Sequence, residues 1–162
     1  MNLEWEVVET LKRRKLTIAT AESCTGGMLS HRITNVPGSS EVFIGGVIAY
    51  SNDLKVKLLG VPNTLISKWG AVSEEVARAM AKGICEVTGS DLGIGITGIA
   101  GPTGGSIHKP VGLVYIGLSN ATINITEVHK NNFNGTREEI KLQSTETALR
   151  LILVHLNKYA DL

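Results

Sequence analysis

Three short apolar runs, each ending in small and polar residues, constrain this chain more than any other feature. Leu16 to Ala21 passes into ESCTGG (22–27), and Val42 to Tyr50 passes into SNDLK (51–55). Asp91 to Thr97 passes into GIAGPTGGSIHKP (98–110), a loop with four glycines and two prolines. Apolar runs this short, bounded by turn residues, read as buried strands.

Helical segments alternate with these strands. Leu3, Val7, Val8 and Leu11 have the spacing of an opening helix. Thr25 to Thr34 is read as a second helix, stopped by Pro37 and Gly38. Ser51-Asn52-Asp53 offers an N-cap for a third, running through Leu58. Ser73 caps a fourth, with Glu74 and Glu75 in its first turn, Val76, Met80, Ala81 and Ile84 on one face, and Gly89 closing it. Val111 to Leu118 and Ile123 to His129 read as an antiparallel pair turning at Ser119-Asn120. Thr136, with Glu139 at the capping-box position, opens a last helix to about Lys158. The predicted fold is α/β: one domain over residues 1–162, a three-layer α/β/α sandwich with a mixed sheet of about five strands. Ligands in such sheets bind beyond the carboxyl ends of parallel strands, where ESCTGG, YSNDLK and TGIAGPTGGS would then meet.

Composition narrows the function. The 162 residues suit one core, since a domain of this size buries roughly 70% of its unfolded surface. Net charge is +1 and aromatics are 4%, which disfavours nucleic acid as partner: it calls for a basic face and stacking rings. Cys24 and Cys85 form no CxxC pair or Cys/His cluster, so no metal site is expected. The charged, amphipathic start MNLEWEVVETLKRRK lacks a signal-peptide core, and no apolar run reaches the ~18–20 residues of a membrane span. The expectation is a soluble cytoplasmic protein acting on a small molecule.

Four segments carry candidate chemistry. In ESCTGG, Ser23 and Cys24 are adjacent nucleophiles, and adjacent residues on an extended chain face opposite ways, so only one can face a crevice. A serine needs a neighbouring base. His31, His108, His129 and His155 lie in no obvious partner segment, which leaves Lys55. As a base, Lys55 must be neutral, its pKa brought from ~10.4 toward ~7–8 by burial or a nearby cation; the bland alternative is an exposed lysine beside Lys57. Gly26 and Gly27 open the second predicted helix, where free N–H groups at Thr25, Gly26 and Gly27 would suit an oxyanion or a phosphate, or simply allow close packing. In the long loop, Gly98, Gly101, Gly104 and Gly105 imply close backbone approach, Thr97 offers a hydroxyl and Lys109 a cation, unless the loop is only solvated surface. Arg137, in the first turn of the last helix, opposes the helix dipole; it would bind an anion there, or else pair with Glu138 or Glu139.

Taken in order, AESCTGG, GGVIAYSNDLKVKLLGV, GAVSEEVA and TGIAGPTGGSIHKPVG resemble the CinA carboxy-terminal domain family, the stand-alone nicotinamide-mononucleotide amidohydrolases (deamidases). The resemblance runs from Thr17 to the final helix. It implies hydrolysis of the carboxamide of nicotinamide mononucleotide to nicotinic acid mononucleotide and ammonia, in pyridine-nucleotide recycling, with no cofactor and no metal. It implies Ser23 as nucleophile, Lys55 as general base, Tyr50 and Thr97 lining the site, and Arg137 reaching substrate at its phosphate. It also suggests a homo-oligomer, dimer or trimer. Some relatives carry the domain behind a larger amino-terminal one, for which this chain leaves no room. Two readings compete with it: Cys24 as nucleophile, and a non-catalytic module that binds a pyridine nucleotide or another phosphorylated ligand.

Overall fold

A computed structural model describes residues 2–162. Five strands form one mixed sheet: β1 (Ile18–Glu22), β2 (Phe43–Ile48), β3 (Leu92–Gly98), β4 (Leu113–Asn120) and β5 (Ile125–Asn132), in spatial order β2-β1-β3-β4-β5. β1 pairs in parallel with β2 and β3, while β4 runs antiparallel to both β3 and β5. The carboxyl ends of β1, β2, β3 and β5 therefore share one edge, as the three sequence segments require.

Six helices cover the two faces. The helices α1 (Leu3–Arg14), α2 (Met28–Thr34) and α6 (Arg137–Lys158) enclose the larger core, where Val7, Leu11, Leu29 and Leu149 meet Ile94 and Ile116. The helices α3 (Asn52–Leu59), α4 (Asn63–Trp69) and α5 (Glu74–Thr88) cover the other face, where Met80 and Ile84 meet Ala19, Ala21 and Leu59. The alternation in LGIGITG explains the asymmetry. Its isoleucines enter the larger core, while Gly93 and Gly95 face α5. A Cβ at either glycine would collide with the backbone of Ala81 or Ala77, so their absence lets α5 lie close on the sheet.

The caps follow the sequence. Ser51 Oγ accepts from Leu54 N–H (3.2 Å), and Ser73 Oγ from Val76 N–H (3.3 Å). Thr136 Oγ1 accepts from Glu139 N–H (3.2 Å) and donates to Glu139 Oε1 (3.1 Å). Three expectations are corrected, and one helix, α4, joins those expected. β2 is not a buried strand: it is the sheet edge, its residues alternate in exposure, and Ile44 and Ile48 are about half exposed (51% and 52%). α4 has too weak a pattern to be read from sequence; none of its residues is buried. The hairpin turns at 121–124, with Asn124 at positive φ, because Ser119 and Asn120 still pair with Thr126 and Ile125. α2 starts at Met28 rather than Thr25, with consequences for the site.

Candidate active site

β1 ends at Glu22, and the alternation of the strand continues past it. Ala19 and Ala21 face α5, Ser23 follows on that side, and Cys24 joins the larger core on the other. Ser51 caps α3 directly beyond the end of β2, so the first turn of α3 carries Lys55 back under that edge. The two segments meet there: Lys55 Nζ donates to Ser23 Oγ (3.0 Å) and to the Tyr50 carbonyl (3.2 Å).

Lys55 is 1% exposed, the largest fully buried side chain. It forms no ion pair among the described residues. Burial therefore moves its pKa below the ordinary lysine value, opposed only in part by the neighbouring Cys24 thiol. Cys24 itself is pushed up to about 12, chiefly by burial. Its thiol is thus protonated at neutral pH, while Ser23 has a base in hydrogen-bond contact.

A cavity of about 340 Å³ opens over this pair. Tyr50, Thr97, Gly98, Gly101, Gly104 and Arg137 share its wall with Ser23, Cys24 and Lys55. Thr97 Oγ1 donates to the Ala71 carbonyl (2.8 Å), which leaves its oxygen free to accept. Arg137 does not pair with Glu138 or Glu139. Its fork donates to the Gly101 carbonyl (2.6 Å) and to Tyr50 Oη (3.0 Å), joining the long loop to the end of β2.

Other expected site residues lie elsewhere. Lys109 is off the cavity wall, its Nζ on the Trp69 carbonyl at the end of α4, where a cation meets a helix C-terminal oxygen. Gly105 is also off the wall; a Cβ there would collide with the backbone nitrogen of Val111. Of the N–H groups expected to be free at Thr25 to Gly27, one is taken. Gly26 N–H donates to the Ser23 carbonyl (3.1 Å), and Gly27 is the N-cap of α2. The first N–H of α2, at Met28, donates to the Thr25 carbonyl (3.1 Å); the next two, at Leu29 and Ser30, go to Glu22 (3.0 Å each), and Thr25 Oγ1 donates to the same carboxylate (2.6 Å). Among the described residues, the N–H groups of Cys24, Thr25 and Gly27 have no hydrogen-bond partner. The sequence reading also missed Asn52 and Thr103, polar residues of the wall whose only signal was proximity to flagged motifs.

The CinA C-terminal domain family matches residues 1–156. The chain belongs to that family. A Moorella thermoacetica relative is 57% identical over 142 residues, covering 88% of this chain and 34% of the relative. A Thermotoga maritima CinA-like protein is 51% identical over 157 residues, covering 97% and 37%. The chain thus spans about a third of the length of the curated relatives it matches. Among solved structures, the competence/damage inducible protein CihA of Agrobacterium tumefaciens superposes with a TM-score of 0.92 at 36% identity, covering 96% of this chain and 93% of its own. A CinA superfamily protein of Klebsiella pneumoniae 700603 gives 0.92 at 29% identity, covering 97% of each chain. The mixed five-stranded sheet is therefore the CinA C-terminal fold, and the Ser23–Lys55 cavity lies at the strand ends of that fold.

Among the described residues, no helix is long and apolar enough to cross a membrane, and no cluster of three metal-binding side chains occurs.

Proposed function

We propose that this CinA domain is an amidohydrolase that converts nicotinamide mononucleotide to nicotinic acid mononucleotide and ammonia. The observation that carries the chemistry is the buried contact between Lys55 Nζ and Ser23 Oγ, 3.0 Å, with the lysine pKa lowered by burial. The substrate rests on the family resemblance and on charge. A pyridinium ring beside Lys55 disfavours the protonated amine, and the Arg137 fork suits a phosphate.

Neutral Lys55 accepts the Ser23 proton as Oγ attacks the carboxamide carbon. The oxyanion is met by the unpartnered N–H of Cys24, the residue after the nucleophile, and of Thr25. Lys55 returns the proton to the departing nitrogen, and ammonia leaves. Water, deprotonated by the same amine, then cleaves the ester to carboxylate and free Ser23. Thr97 and Tyr50 hold the substrate and assist proton transfer. The buried lysine amine argues for this reading over a binding module, which has no use for a desolvated base.

The test is ammonia release from nicotinamide mononucleotide by the wild type, Ser23→Ala and Lys55→Ala. Turnover only in the wild type supports the reading. Binding of the mononucleotide without turnover supports the binding module instead, and full activity in either variant refutes the mechanism.

A further inference from the structure

Glu22 is 0% exposed, and among the described residues no cation pairs with it. Four donors satisfy its carboxylate instead. Oε1 accepts from Thr25 Oγ1 (2.6 Å) and Leu29 N–H (3.0 Å); Oε2 accepts from Ser30 N–H (3.0 Å) and Ser30 Oγ (2.6 Å). Ser30 Oγ spends its proton on Glu22, so the Thr20 hydroxyl donates to Ser30 (2.7 Å). A buried carboxylate is tolerable only when its lone pairs are filled in this way.

The placement matters more than the count. Glu22 is the last residue of β1 and Ser23 is the next, so their side chains leave opposite faces of the sheet. Glu22 clamps the far side of the turn 24–27 to the start of α2 while Ser23 meets Lys55 on the near side. The turn needs such a clamp because Gly26 and Gly27, at φ +60° and +100°, leave it little intrinsic stiffness.

We propose that Glu22 is the positioning residue of the nucleophile turn. Through Thr25 Oγ1 it fixes the backbone on which Ser23 Oγ and the Cys24 and Thr25 N–H groups stand. It also occupies the α2 terminus, so the oxyanion is met by the turn and not by the helix. Glu22 touches no substrate. The proposal rests on the amidohydrolase reading for its substrate and on geometry for the rest.

The experiment uses Thr25→Val, which deletes one donor while the α2 caps remain, with Thr25→Ser as rescue and Glu22→Gln as a second variant. Three quantities are read: kcat and KM for nicotinamide mononucleotide, the rate at which phenylmethanesulfonyl fluoride sulfonylates Ser23, and Tm. In that labelling Oγ displaces fluoride and Lys55 takes the proton. Thr25→Val and Glu22→Gln are each expected to lower kcat and the labelling rate at least tenfold, with KM within twofold and Tm above the assay temperature. Thr25→Ser is expected to recover most of both rates. Wild-type rates in both Thr25→Val and Glu22→Gln would overturn the proposal, as would a loss that only tracks the unfolded fraction. A wild type that labels at Ser23 yet releases no ammonia refutes the substrate, and the labelling rates still decide the role of Glu22. A wild type that does neither overturns both.

Discussion

Lys55 Nζ lies 3.0 Å from Ser23 Oγ, and both side chains are buried beneath the ends of two adjacent parallel strands. Thirty-two positions separate them in the chain. The pair sets a serine hydroxyl against an amine whose pKa burial lowers, so that more of the amine is unprotonated near neutral pH, and the consequences are measurable.

The rate of ammonia release should rise with pH and level off. Lys55 must be unprotonated to act, and its pKa lies below the ordinary lysine value. The profile of kcat/KM should show an acid limb whose midpoint falls below ~10.4. A limb at or above that value would refute Lys55 as a desolvated base.

Lys55→Met should abolish turnover and raise Tm. The unfolded chain holds the Lys55 proton more tightly than the folded one, so below the unfolded pKa burial of this amine works against folding. Methionine fills similar volume without that cost, and gains at such functional positions commonly run about 0.5–2 kcal/mol. The gain should shrink as pH rises through the folded pKa of Lys55. Thermal melts at several pH values check both points, and a lower Tm at neutral pH would count against the argument.

Cys24→Ala should keep most activity. The thiol, pushed up to about 12, is protonated at neutral pH, so iodoacetamide should leave ammonia release by the native protein intact. Cys24 packs in the larger core, and its truncation should cost on the order of 1 kcal/mol. Loss of turnover in the folded variant would reassign the nucleophile.

Arg137→Ala should raise KM with a smaller effect on kcat. Hydrogen bonds to a charged group contribute about 1.5–3 kcal/mol, roughly ten- to a hundredfold in affinity. Arg137→Lys should restore little, because an ammonium cannot reach the Gly101 carbonyl and Tyr50 Oη as a fork does. Steady-state kinetics of the two variants decide it; an unchanged KM in Arg137→Ala excludes the role.

Folding stability should fall as pH drops through the histidine range. His155 is buried at the other end of the sheet. Asn120 Oδ1 accepts from Thr122, so Asn120 Nδ2 donates to His155 Nε2 (2.9 Å) and His155 Nδ1–H donates to Glu127 (3.2 Å). Burial lowers its pKa, with Arg14 and Lys158 acting in the same sense and Glu127 opposing. A folded pKa below the unfolded ~6.5 means full stability above that pH and loss as pH falls toward the folded value. Urea unfolding from pH 7.5 to 5 should show this slope, and His155→Gln should flatten it.

The periodicity of single segments settled much of the fold. The strands beginning near Ile18 and Leu92, the helix capped by Ser73 and the helix capped by Thr136 are local consequences of apolar spacing and caps. α4 was illegible because none of its residues is fully buried and only Leu65 and Ile66 pack partly on the smaller core, and the edge position of β2 was illegible because strand order is not a local property.

At the site, the sequence by itself determined the residue types and which motifs end strands: Ser23, Lys55, Thr97 and Arg137 are legible from turn chemistry and from the family likeness. Only the tertiary structure decided which of them touch. The parallel pairing of β1 with β2 set Lys55 on Ser23, strand alternation turned Cys24 into the core, and Glu22 took the helix terminus reserved in the sequence reading for the substrate. The reason is physical. Spacing along a chain fixes which face a side chain leaves from, but hydrogen bonds and desolvation depend on what the fold lays against that face.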